Sequence, residues 1–98
     1  MSQNWLQLKE LGNNQFKNKN YSSAIEYYTR GINMNPSEPV LYANRGTCFK
    51  CLGKYKESVK DYKKEKKEKK RKIEKMNIIK KKNLKIMKKN QLKMNWIY

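Results

Sequence analysis

The chain repeats itself at an offset of 34 residues: Leu8 aligns with Tyr42, Gly12 with Gly46, Tyr21 with Tyr55, Ala24 with Ser58 and Tyr28 with Tyr62. A period of about 20 to 50 residues marks stacked supersecondary units, none of which buries its apolar face alone. Within the first copy, large residues at Leu8, Leu11, Phe16, Ile25, Tyr28 and Ile32 recur at three- and four-residue steps, the spacing of one face of an α-helix. Each copy is therefore expected to be a pair of helices whose apolar stripe a neighbour must cover.

The punctuation places the helices. Asn18-Lys19-Asn20 breaks the first copy before Tyr21, with Ser22 and Ser23 suited to start a helix, and Leu52-Gly53-Lys54 repeats that turn. Pro36, Ser37 and Pro39 separate the copies, and Ser37-Glu38-Pro39 offers a helix start with proline in the first turn. Helices are expected near residues 3–18, 22–34, 38–51 and from 55 to at least 66. Gly12 and Gly46 fall in helix interiors, where glycine costs roughly 1 kcal/mol relative to alanine. Close approach of a partner helix is the expected compensation, with the small residues Ala24 and Ser58 facing them.

The first copy reads Leu8-x2-Leu11-Gly12, then Phe16, Tyr21, Ala24-x3-Tyr28 and Pro36; the second reads Tyr42-x2-Arg45-Gly46-x2-Phe49, then Tyr55 and Ser58-x3-Tyr62. This pattern resembles the tetratricopeptide repeat. The resemblance implies an all-α fold: two tandem hairpins in a right-handed stack over residues 1–62 (about 5–36 and 39–62), then a Lys-rich helical extension or tail over 63–98. Leu8, Gly12, Ala24, Tyr28, Tyr42, Gly46, Ser58 and Tyr62 are the expected repeat-packing residues.

Three polar residues narrow the resemblance to co-chaperones of the dicarboxylate-clamp type: Lys9 and Asn13 in Lys9-Glu10-Leu11-Gly12-Asn13, and Asn44 in Leu41-Tyr42-Ala43-Asn44-Arg45. What this implies is a concave groove that holds the extreme C-terminus, Glu-Glu-Val-Asp, of heat-shock chaperones of the seventy- and ninety-kilodalton classes. A chain ending in Asp offers two carboxylates, which one ammonium and two carboxamides can meet with charge-assisted and neutral hydrogen bonds. Lys9 would neutralise, and Asn13 and Asn44 would orient. The family completes the clamp with a Lys and an Arg on a third repeat, and the corresponding positions here are Glu74 and Ile78. The incomplete clamp implies weak, salt-sensitive binding.

The repeat pattern ends at Tyr62, for Lys70 stands where a second closing proline belongs. Residues 1–53 carry six Lys/Arg against three acids, whereas residues 54–98 carry nineteen against five. High helix propensity and the absence of Gly and Pro from Lys54 onward predict a long extension of the fourth helix. Ile73, Met76, Ile79 and Met87 form a weak stripe along it, which either caps the second hairpin or frays into solvent. Lys66-Lys67-Glu68-Lys69-Lys70-Arg71-Lys72 has the composition of a nuclear-localisation or phosphate-attracting patch. An alternative function follows: weak non-specific nucleic-acid or anionic-surface binding through the tail, with Trp96 and Tyr98 as interfacial anchors. A solvated charged helix is the plainer account.

Other chemistry lacks its residues. Histidine is absent, and Cys48 and Cys51 supply only half of a zinc quartet, so they read as small packing residues within a helix, with no metal or cofactor implied. Glu57 and Asp61, set among lysines, read as surface charge partners, and no catalytic constellation is present, so an enzyme is not expected. No apolar run of about 18 residues and no signal-peptide layout occur, which points to the cytoplasm or, through the basic run, the nucleus. Two hairpins fall short of the three repeats usually needed for stability, so a homo-oligomer, a partner or a capping tail is expected to complete the stack.

Overall fold

A computed structural model describes residues 3–97, with side chains described as far as Lys93; the described residues form four helices, α1 (Trp5–Lys17), α2 (Tyr21–Met34), α3 (Pro39–Cys51) and α4 (Tyr55–Ile97). α1 starts later than its apolar spacing suggests because Asn4 caps it. The Asn4 side chain accepts the Gln7 backbone N–H at 2.9 Å, and the Gln7 side chain accepts the Asn4 N–H at 3.0 Å, a reciprocal capping box. α3 starts with Pro39 in its first turn, where a missing N–H costs nothing.

The two hairpin turns have the same construction. After α1, the Asn20 N–H donates to the Gln15 carbonyl at 2.8 Å and the Lys19 N–H to that of Phe16 at 2.9 Å. After α3, the Lys54 N–H donates to Phe49 at 2.8 Å and the Gly53 N–H to Lys50 at 3.0 Å. This is the Schellman arrangement, which needs a left-handed residue after the helix. Gly53 supplies it with φ of 75°, and Lys19, 34 positions earlier, adopts φ of 62°.

α1 packs on α2 and α3 on α4, and α2 packs on α3 to join the hairpins. Leu8, Tyr28, Leu41 and Cys48 are fully buried, with Ala24, Ile32 and Tyr42 in the same core. Both mid-helix glycines lie where a partner helix comes closest. A Cβ on Gly12 would sit 2.5 Å from the Tyr28 ring, and one on Gly46 would sit 3.1 Å from both the Asp61 Cβ and the Tyr62 ring and 3.3 Å from the Ser58 carbonyl oxygen. The nearest atoms to Gly12 thus belong to Tyr28, one turn beyond Ala24.

α4 uses only its first part for packing. Ser58, Asp61 and Glu68 are buried, Tyr62, Lys64 and Glu65 half-buried, and every side chain from Lys69 to Lys93 is exposed. The last tie to the hairpins is the ion pair between Lys72 Nζ and Glu38 Oε2 at 2.9 Å. Ile73, Met76, Ile79 and Met87 are each more than half exposed, so the stripe caps nothing. The reason is local: no Gly or Pro interrupts α4, and an uninterrupted helix cannot turn back over its own hairpin. The result is an elongated molecule 67 Å long with a radius of gyration of 20.1 Å, against about 13 Å for a compact chain of this length.

Candidate functional site

The repeat places polar side chains from different helices around one cleft. Asn13 on α1, Tyr28 on α2, and Asn44 and Thr47 on α3 line a pocket of about 140 Å³, with Phe16 as its apolar wall. Asn44 Nδ2 donates to Asn13 Oδ1 at 3.2 Å, a bond between residues 31 apart in sequence. The Tyr28 hydroxyl donates to the same oxygen at 2.5 Å. With its carbonyl taken twice, Asn13 turns its amide N–H groups away from both partners. No buried side-chain nitrogen or oxygen among the described residues lacks a partner, so those N–H groups face water.

Tyr28 is held as a donor. Burial of its ring pushes its hydroxyl up to about 12, so it keeps its proton at neutral pH. The same interaction recurs one repeat later, where Thr47 donates to the Ala43 carbonyl and its oxygen lies 3.0 Å from the Tyr62 hydroxyl. Thr47 stands 34 residues after Asn13, and Tyr62 34 after Tyr28. The roles of the two tyrosine hydroxyls and of Thr47 are absent from the sequence reading, although the repeat offset pairs these positions.

Of the three clamp-type residues, the structure joins Asn13 and Asn44. Lys9 lies one helical turn before Asn13, hence on the same face of α1. Its ammonium lies 3.8 Å from the Glu10 carboxylate, and no hydrogen bond connects it to the asparagines. Glu74 and Ile78 lie on the projecting part of α4, both exposed.

Beside the cleft, Arg45 forms a fork with Asp61, Nε to Oδ2 at 2.9 Å and Nη2 to Oδ1 at 2.8 Å, while Nη1 donates to Thr29 Oγ1 at 3.2 Å. This corrects the reading of Asp61 as a surface charge: it is buried and ties α3 to α4, whereas Glu57 is exposed. The Asp61 hydrogen bonds raise Arg45 above its ordinary range. The cysteines also divide. Cys48 is buried, and burial pushes its thiol up to about 11, while Cys51 is exposed.

Two stacked helical hairpins with a polar node bridging them define an α-hairpin repeat protein. Residues 10–38 match the family model of the tetratricopeptide repeat. It is 42% identical over 55 residues to the small glutamine-rich tetratricopeptide repeat-containing protein beta of Homo sapiens, covering 56% of this chain and 18% of that protein. It is 41% identical over 56 residues to Hsp70-Hsp90 organizing protein 2 of Arabidopsis thaliana, covering 57% and 10% respectively. Among solved structures, the first TPR of Spaghetti (RPAP3) bound to the HSP90 peptide SRMEEVD superposes with a TM-score of 0.59 at 41% identity, over 62% of this chain and 48% of that one. The Sgt2 TPR domain from Aspergillus fumigatus gives a TM-score of 0.61 at 28% identity, over 62% and 40%. This chain spans less than a fifth of the length of these two curated relatives, and less than half of the two solved chains.

Proposed function

We propose that the face carrying Asn13 and Asn44 binds the acidic C-terminal peptide, ending Glu-Glu-Val-Asp, of heat-shock chaperones of the seventy- and ninety-kilodalton classes. The observation that carries this reading is the Asn13–Asn44 bond across two repeats, which fixes both carboxamides before any ligand arrives. Preorganised donors spare a ligand the cost of ordering them. Lys9 supplies the positive charge on the same helix face, and a solved relative holds the HSP90 peptide SRMEEVD.

The chain acts in this reading as a cytoplasmic adaptor and catalyses nothing. Its relatives include organizing proteins and small glutamine-rich repeat proteins, and none of these supports the alternative of nucleic-acid or anionic-surface binding drawn from charge alone. Trp96 and Tyr98, named as anchors for that alternative, lie outside the described side chains. Among the described residues, no helix is long and apolar enough to cross a membrane.

Glu74 and Ile78 stand where the resembled clamp has a cationic pair, so affinity rests on Lys9, Asn13 and Asn44 alone. Fluorescence anisotropy of a labelled Ser-Arg-Met-Glu-Glu-Val-Asp peptide tests the reading. Saturable binding that weakens with salt and with amidation of the C-terminus is expected. A free acid that binds no better than its amide rules the groove out as a carboxylate site.

A further inference from the structure

The distal part of α4 is a surface that the other described residues leave uncovered. Between Ile73 and Lys93 every side chain is exposed, including Ile78 at 54%, Ile79 at 56%, Ile86 at 55% and Leu92 at 63%. After Glu74 the sequence contains no acid, and all of its charged side chains are lysines. Large apolar side chains left in water on a helix whose charges beyond Glu74 are all positive present a binding surface of defined chemistry.

Charge selects the partner's sign. A second copy would bring a net +17 against +17, and like charges at short range oppose that pairing. An acidic partner gains at every lysine.

Geometry selects the partner's shape. Taking about 100° per residue, Met76, Ile79, Ile86 and Met87 fall within one arc of the helix, which Ile73 and Leu84 widen to about 160°. Ile78 and Leu92 lie on the other side, and Leu92 is turned roughly 140° from Ile79 and set about 20 Å further along the axis. A flat bilayer or a single partner helix covers one arc and leaves the other in water or among headgroups. Burying both requires two apolar clefts that close on the helix from opposite sides.

We propose that residues 73–93 are a docking helix for an acidic protein that encloses it between two apolar clefts, the chemistry of a two-lobed EF-hand sensor in its Ca²⁺-loaded state. Such proteins open Met-rich grooves on binding Ca²⁺ and receive basic amphipathic helices. The helix is positioned for this by its own continuity. Lys72 is the last residue tied to the hairpins, and beyond it about seven turns project clear of them. This surface is separate from the Asn13 and Asn44 cleft, so the two partners do not compete for one site.

The test uses the full chain and calmodulin as the probe, by isothermal titration in Ca²⁺ and in a chelator. A saturable one-to-one complex is expected in Ca²⁺, at least about tenfold weaker in the chelator. The double variant Ile79→Gln, Leu92→Gln keeps the charge and removes one anchor from each side; it should weaken the complex at least about tenfold while leaving the binding of the Ser-Arg-Met-Glu-Glu-Val-Asp peptide unchanged. Absence of a complex overturns the proposal. So does a complex indifferent to both the chelator and the double variant, which is attraction by charge alone. Binding to phosphatidylserine vesicles under conditions where calmodulin does not bind overturns it in favour of a membrane surface.

Discussion

Tyr28 carries two loads that its sequence position announces only as one. Its ring fills the space that Gly12 leaves, and its hydroxyl orients Asn13. Because the ring is fully buried and its hydroxyl is tied, it cannot step aside for an added methyl group. Gly12→Ala should therefore destabilise the fold by about 1–3 kcal/mol despite its better helix propensity, read as a lower urea midpoint at unchanged slope. An equally stable or more stable variant would show that the close contact is relieved cheaply. The buried hydroxyl and thiol also set a pH dependence. Tyr28 is raised to about 12 from 10.0 and Cys48 to about 11 from 9.0. Both groups hold their protons more tightly folded than unfolded, so their contribution is complete below about pH 9 and is lost as the pH climbs through 11 and 12. Comparison with Tyr28→Phe at each pH isolates the contribution of the hydroxyl. The wild type should lose stability relative to the variant as pH rises from 9 to 12, and parallel curves would contradict the assignment.

At the scale of elements, the joint between α3 and α4 is the fork of Arg45 on Asp61. Removing the carboxylate strands a half-buried guanidinium, so Asp61→Ala should cost about 3 kcal/mol. Glu57→Ala, at an exposed site one turn earlier, should stay within about 0.5 kcal/mol. Thermal or urea unfolding of the pair checks the contrast, and equal effects would mean that Asp61 is a surface charge after all. The sequence surrounds Asp61 with lysines at 60, 63 and 64, and nothing local reveals that its partner is 16 residues upstream. The pairing exists only in the register of α3 against α4. The existence of four helices and of their turns is legible because a 34-residue period states each of them twice, whereas the close contact of Gly12 falls on Tyr28 and not on the small residue Ala24. What lacked a second copy was harder to read. The capping box at Asn4 and Gln7 precedes the repeat, and the far end of α4 follows it without a single stop signal. The polar node was half legible: Asn13 and Asn44 stood out by resemblance, while the hydroxyl of Tyr28 was hidden behind its role as a packing ring.

The whole molecule divides into a packed stack and a projecting helix, and the division is energetic as well as geometric. The core and the inter-helix ion pairs lie at or before Lys72, while among the described side chains those from Ile73 to Lys93 are all exposed. Isolated helices of that kind are marginal in water. Backbone amides from 73 to 93 should exchange hydrogen for deuterium orders of magnitude faster than those between Ser58 and Glu68, which packing protects. Uniform protection along α4 would mean that another surface covers its distal part. In the proposed reading the clamp is incomplete at the same boundary: Glu74 and Ile78 belong to the projecting segment, so the groove would end with the second hairpin and rest on what two repeats offer.

Whether Asn13 and Asn44 form a carboxylate site is decided by a double-mutant cycle between protein and peptide. Affinities are measured for the free-acid and amidated forms of Ser-Arg-Met-Glu-Glu-Val-Asp, each against the wild type and Asn44→Ala, with circular dichroism confirming the fold. A hydrogen bond to a charged group contributes about 1.5–3 kcal/mol, so amidation should weaken the wild type at least about tenfold and change the variant far less. If amidation costs the wild type and the variant equally, the carboxylate is not recognised at this node, and the two asparagines serve only to pin one repeat to the next.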